Sequence, residues 1–183
     1  MPLALPRYTL RDLESFPDDG CRYELLDGVL LVTPAPAPLH QLVALRISTT
    51  LATYLGPRGP GRVFSPGSVE LEPNLHLEPD VLVVPAGALQ PGLREETRWT
   101  DIRRWWLAVE VSGKGSTPYD RDSKGPAYLA LGVPEVWRVD LRDRCVFVSR
   151  TGTTEVRHDD HVTWLAPGMS EPMVLPVADL FLP

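Results

Sequence analysis

The chain has 183 residues, 43% hydrophobic and 23% charged, which fits one soluble globular domain and argues against a disordered, fibrous or collagen-like chain. Its 18 basic against 24 acidic residues give a net charge of −6, the opposite of a surface built everywhere to neutralise phosphates, so any nucleic-acid function must rest on a local site. No apolar run approaches the ~20 residues of a membrane span, the N-terminus lacks the pattern of a signal peptide, and Cys21 and Cys145 have neither zinc-ligand spacing nor disulfide-scaffold density; a reduced, cytoplasmic setting with no membrane partner is expected.

YTLRDLESF, from Tyr8, reads as a short helix capped by Thr9, with Leu10, Leu13 and Phe16 along one side. YELLDGVLLV follows as two apolar runs around Asp27-Gly28, a dipeptide that favours a two-residue hairpin because both central positions take positive φ. Prolines 34, 36 and 38 end the hairpin, and Leu39, Leu42, Val43, Leu45, Leu51 and Leu55 carry helical spacing up to a Gly56-Pro57 stop. After a Gly/Pro-rich turn, SVELE alternates as a half-buried strand, whereas DVLVVP is continuously apolar and reads as a strand covered on both faces. A polar connection over 85–104 leads to WWLAVEVS, a second buried strand interrupted by one acid. Thr117-Pro118 marks a helix start and Gly132-Val133-Pro134 its end, and EVWRVD, CVFVSR and VTWLA complete the set as strands. This order predicts one α/β domain over 1–183, with a mixed central sheet flanked by helices and an N-terminal helix and β-hairpin.

Two acids stand out against this pattern. Burying a carboxylate without a partner costs several kcal/mol, so an acid inside an apolar strand needs an explanation. Glu110 sits between Val109 and Val111, and Asp80 opens DVLVV directly after Pro79. If the two strands are neighbours, the acids converge on one oxygen-rich site of the kind magnesium takes, one or two carboxylates with water and substrate phosphate filling the rest. The plainer readings are a strand-start acid for Asp80 and a buried ion pair with arginine for Glu110. Glu24, between Tyr23 and Leu25, reads equally as a solvent-facing residue of an amphipathic strand or as a third member of the site.

The segments YELLDGVLLVTPAP, His40-Gln41, EPDVLVV, LAVEVS and YDRDSKGPAYLALGVPEVWRVD occur in the order and spacing of the Uma-type restriction endonuclease family, which the chain resembles from about Tyr8 to Val148. That family belongs to the PD-(D/E)XK nuclease superfamily, so the resemblance implies a restriction-endonuclease-like core and a divalent-metal phosphodiesterase site. Pro79-Asp80 resembles the PD, Glu110 the (D/E), and Glu24 the acid of the YEL-DG motif. The resemblance implies Asp80, Glu110 and the backbone carbonyl of Val111 as ligands of Mg²⁺ or Mn²⁺, with Glu24 and Lys124 joining Asp80 and Glu110 in catalysis.

The chain departs from the wider superfamily at the lysine. Two residues after the second acid stands Ser112, which supplies no charge, and the matching cation is Lys124 in YDRDSK. Only Lys114 and Lys124 are lysines in a chain that otherwise uses arginine, which favours a role for Lys124 beyond an i,i+4 pair with Asp120. Pro126 threatens this reading: a proline inside the helix removes a hydrogen bond and kinks or breaks it, and a restart there would leave Lys124 in a loop. Lys114, in Gly-Lys-Gly, suits a phosphate contact. His40 is a capping or polar residue with a second reading in the site, and His158-Asp159-Asp160-His161 is a solvated turn. Trp105 and Trp106 read as core and edge packing, and Arg94, Arg98, Arg103 and Arg104 as a basic cluster able to meet phosphate or, equally, a solvated face. The expected function is a metal-dependent endonuclease acting on nucleic acid, DNA foremost, with a homodimer as a reasonable assembly. The alternative is a catalytically degenerate copy that binds nucleic acid or a protein partner without cleavage.

Overall fold

The computed structural model describes residues 6–89, 92–113 and 117–182 and opens on a single helical turn, α1 (Leu10–Leu13). Thr9 caps it by donating its backbone N–H and its hydroxyl to the Asp12 carboxylate at 2.7 and 2.8 Å. The predicted hairpin follows as β1 (Arg22–Leu26) and β2 (Val29–Thr33), closed by Asp27 (φ 50°) and Gly28 (φ 77°). Next comes α2 (Pro38–Leu55), with proline in its first turn, where no helical donor is lost, and Gly56 (φ 69°) at its end.

β3 (Gly61–Phe64) lies in the segment that sequence alone reads as a turn; its two apolar residues are too few to carry a periodicity, and its pairing with a buried strand makes it. β4 (Val69–Leu71) and β5 (Leu75–Leu77) form a second hairpin, followed by β6 (Val81–Pro85) and β7 (Leu107–Ser112), buried along their whole lengths as predicted, Glu110 included. A helical stretch then runs through α3 (Thr117–Tyr119), a π-helical turn (Asp120–Lys124) and α4 (Gly125–Ala130). β8 (Glu135–Asp140), β9 (Cys145–Arg150), β10 (Val156–His158), β11 (His161–Trp164) and β12 (Met173–Pro176) complete the strands.

The central sheet has the order β10-β9-β8-β7-β6-β3 and is mixed, as predicted, with β7 and β8 parallel and the other pairs antiparallel. The N-terminal hairpin belongs to a separate four-stranded sheet, β2-β1-β5-β4, and β11 pairs with β12 alone. Strand alternation divides the core in two. Val81, Val83, Leu107, Val109 and Val111 face α2 and pack on Val43, Ile47 and Leu51. Leu82, Val84 and Ala108 face the opposite way, against Leu77, Trp105 and Tyr128. Glu110 has the parity of Ala108, and Asp80 that of Leu82, so both acids belong to the second face. Among the described residues no helix is long and apolar enough to cross a membrane.

Candidate active site

The pairing of β6 with β7 stops at Val81 opposite Val109. One step further along the same register, Asp80 stands opposite Glu110, where the strands have ceased to share hydrogen bonds. The freed Val111 N–H donates to Asp80 Oδ2 at 2.8 Å. In an extended strand the N–H and C=O of one residue project to the same edge, so the Val111 carbonyl looks the same way as its N–H. Arg22 and Glu24 share one side of β1. The Arg22 guanidinium reaches Asp80 Oδ1 at 2.6 Å, and Glu24 accepts from the Glu78 N–H at 2.8 Å. His40, in the first turn of α2, sets Nε2 3.0 Å from Asp80 Oδ2; its Nδ1 is buried without a hydrogen-bond partner among the described residues.

Lys124 comes from the other side. Pro126 does not break the helix before it; the chain passes through a π-helical turn in which the Gly125 N–H donates to the Asp120 carbonyl five residues back, and Pro126 stands where the next α-helix begins. A Cβ on residue 125 would lie 3.1 Å from that carbonyl oxygen, so glycine suits the close approach. A helix does begin beside Pro126, but the π turn joins it, so Lys124 stays helical instead of falling in a loop. It is 4% exposed, with Nζ 2.8 Å from Glu24 Oε2, 3.4 Å from Glu110 Oε1 and 3.5 Å from Asp120 Oδ1. The i,i+4 contact with Asp120 thus exists, but it is the longest of the three. Tyr128, one turn further on, donates its hydroxyl to Glu110 Oε1 at 2.7 Å, and Ser112 donates to Asp120 Oδ2 at 2.8 Å. Asp80, Glu110, Val111, Lys124, His40 and Arg22 all line one cleft of ≈ 250 Å³.

The charges are unevenly matched. Four buried carboxylates, Glu24, Asp80, Glu110 and Asp120, meet two permanent cations, Arg22 and Lys124, and His40. Burial acts to raise the Asp80 pKa, but the bonds and charges of His40, Arg22 and the Val111 N–H outweigh it and hold the carboxyl below its ordinary value. For Glu110 burial wins: the pKa is pushed well up, Lys124 offsetting only part while Asp120, Asp80 and Glu24 add to the rise. Burial would lower the Lys124 pKa, yet Glu110, Glu24 and Asp120 more than reverse it, so the amine stays protonated. Burial and the neighbouring Glu110 and Glu24 likewise raise the Tyr128 pKa.

Among the described residues, no three His, Cys, Asp or Glu side chains are grouped as a metal site. The divalent metal that the fold family implies would therefore rest on two carboxylates and a carbonyl, with water completing the shell. The donor chemistry fits. The cluster holds more negative charge than its fixed cations answer, Glu110 uses a single oxygen for Lys124 and Tyr128, and burial together with the neighbouring carboxylates pushes its pKa up, a condition that an added cation would relieve. Asp80 is the constraint, because both its oxygens already meet cationic or N–H partners.

The structure brings together Glu24, Asp80, Glu110, Val111 and Lys124, the five residues proposed for metal binding and catalysis, and places His40 beside Asp80, in keeping with its second reading from the sequence. Lys114 lies outside the described residues. The other basic candidates do not join the cluster: Arg103 donates to the Glu70 carbonyl at 3.1 Å, and Arg98 lines a separate groove. Trp105 is core, 5% exposed, and Asp159 is an exposed turn residue. Sequence reasoning missed Arg22, Tyr128 and the pairing of Lys124 with Glu24, whereas the Asp120 pair it named is present. The signals were present: Arg22 is two residues from Glu24 on a strand, and Tyr128 four from Lys124 on a helix.

A mixed sheet whose splayed central strands present paired acids and a lysine defines a nuclease-like α/β fold. The chain belongs to the Uma2 family, described as "Putative restriction endonuclease", whose model matches residues 9–178. A solved structure with the same fold is that of a putative nuclease of the DUF820 family from Anabaena variabilis, with a TM-score of 0.78, 19% sequence identity, and coverage of 95% of this chain and 97% of that one. No curated protein matches the chain.

Proposed function

We propose that the protein is a Mg²⁺- or Mn²⁺-dependent endonuclease that hydrolyses phosphodiester bonds in DNA, with Asp80, Glu110 and the Val111 carbonyl holding the metal. The observation that carries this reading is the convergence of Asp80, Glu110 and Lys124, from three separate segments, on one cleft. A bound metal supplies a Lewis acid for the phosphate and lowers the pKa of a coordinated water. Lys124, kept protonated, serves as a fixed positive charge against the developing charge on phosphate rather than as a base. Glu24 sets the position of that ammonium through its 2.8 Å contact and is itself held by the Glu78 N–H. Tyr128 and Lys124 both engage Oε1 of Glu110, so Oε2 is the oxygen that would meet the metal. A homodimer, in the cytoplasm, would give each strand of a duplex its own site.

Nicking of supercoiled plasmid in Mg²⁺ or Mn²⁺, compared between the wild type and Asp80→Asn, tests the reading. The variant is expected to lose activity by ~10³-fold, the scale of removing a principal electrostatic contributor. Wild-type nicking that survives a chelator, or equal nicking by Asp80→Asn, would sink it. Metal-dependent DNA binding without any nicking would favour the non-cleaving alternative, to which the engagement of Asp80 by Arg22 and His40 lends support.

A further inference from the structure

Arg22 occupies an unusual position. Among the described residues its guanidinium bonds only Asp80, through one nitrogen to one oxygen at 2.6 Å, rather than as a two-pronged fork. The same side chain lines three cavities: the ≈ 250 Å³ cleft, a ≈ 380 Å³ cleft beside His40 and Ser65, and a ≈ 1070 Å³ groove that runs past Tyr23, Arg98 and Trp99. It keeps 22% side-chain exposure, whereas Asp80 keeps 2%. A buried carboxylate is thus met by a cation that has open space on several sides.

Asp80 already meets Arg22 on Oδ1 and His40 and the Val111 N–H on Oδ2. A divalent ion arriving at Asp80 and Glu110 is repelled by the permanent charge of the guanidinium and competes with it for Oδ1, and of the two side-chain partners Arg22 is the more exposed, 22% against 14% for His40. The groove it would enter carries Glu14, Glu70, Glu72 and Glu78 against Arg11, Arg98 and the His76 held between two of those glutamates, so its own charge does not favour phosphate. A released arginine at its mouth changes that balance, and its planar fork matches a phosphate diester.

We propose that Arg22 is an exchangeable counter-cation: it neutralises Asp80 while the metal is absent, yields that carboxylate to the incoming divalent ion, and then holds the phosphate diester of the nucleic-acid substrate. The proposal rests on the metal-dependent reading above and adds to it a residue that couples metal loading to substrate binding.

Titration with Mn²⁺ in the absence of nucleic acid, followed by the electron paramagnetic resonance of the free ion, reads the first half. Arg22→Gln is expected to bind Mn²⁺ about tenfold or more tightly than the wild type, since its competitor is gone; Arg22→Lys, which keeps the charge, is expected to stay near the wild type and guards against a folding defect, checked by circular dichroism. The second half is read by the anisotropy of a fluorescein-labelled DNA duplex with Ca²⁺ as the loading ion: the wild type gains affinity on loading, and Arg22→Gln does not. Equal Mn²⁺ affinity in the wild type and both variants would make Arg22 a fixed structural partner and overturn the exchange, leaving the metal site standing. No Mn²⁺ binding by any of them would overturn the metal-dependent reading and the exchange with it. A metal-induced gain in duplex affinity preserved in Arg22→Gln would overturn the phosphate role.

Discussion

Two clusters of buried or half-buried acids, one in the four-stranded sheet and one at the end of β6 and β7, are built differently. In the four-stranded sheet, His76 stands between Glu70 and Glu78, 3.1 Å from each, with all three residues within nine positions of one another. Burial would depress the His76 pKa, but hydrogen bonds and charge from the two glutamates raise it from 6.5 to about 9. That cluster finds its cation locally. The cluster at the end of β6 and β7 draws Arg22, His40 and Lys124 from three distant elements, leaves Glu110 with its pKa pushed up, and opens onto a cleft. A local ion pair that answers its own charge reads as architecture. A cluster assembled over long sequence distances and left short of positive charge reads as a site.

The largest test of that contrast is Lys124. Lys124→Ala leaves Glu24 and Glu110 buried without their shared cation and is expected to cost ~3–5 kcal/mol in urea unfolding, together with nearly all metal-dependent nicking. Lys124→Met, which fills the same space, should unfold closer to the wild type yet remain inactive. If Lys124→Met nicks plasmid normally, the lysine is structural and the two clusters differ less than their geometry implies.

His76→Asn should behave in the opposite way, affecting stability and sparing nicking. Because the folded pKa is raised, the stabilisation is fully present below about pH 6.5, declines as pH rises, and is gone above about 9. The variant should therefore be less stable by up to ~3 kcal/mol at pH 6 and match the wild type near pH 10. Unfolding curves at the two pH values check this, and a difference that persists at pH 10 would point to lost packing.

The smallest expected effect is that of Tyr128→Phe, ~1–2 kcal/mol for one buried hydrogen bond to a charged partner. It carries a distinct signature. The hydroxyl favours the ionised form of Glu110, so its removal raises that pKa further and should move the acid limb of the pH–rate profile to higher pH. An unshifted acid limb would mean that Glu110 does not titrate in the active range.

Much of this was legible from residue order. DVLVVP and LAVEVS announced fully buried strands, Asp27-Gly28 announced the hairpin, and acids inside apolar runs marked the candidate site because burial makes them costly. What escaped was whatever depends on partners rather than on local pattern. β3 has too little apolar character to be read without its neighbour β6. The four-stranded sheet exists because β1 meets β5, which lies some fifty positions away. The Arg22–Asp80 contact joins residues 58 apart, and nothing in Pro126 itself reveals that the turn before it widens instead of breaking.

That widened turn has an evolutionary corollary. Each residue of an α-helix rotates the next side chain by ~100°, so the azimuth of Lys124 is fixed by how many residues precede it, not only by which ones. The π turn acts as a one-residue phase shift between Thr117 and Tyr128. Deleting a single position from 121–123 would restore ordinary helical phase and swing the ammonium away from Glu24, although every participating side chain was still encoded. Length variation, usually the cheapest change at a protein surface, is forbidden in this short stretch for as long as the lysine is needed.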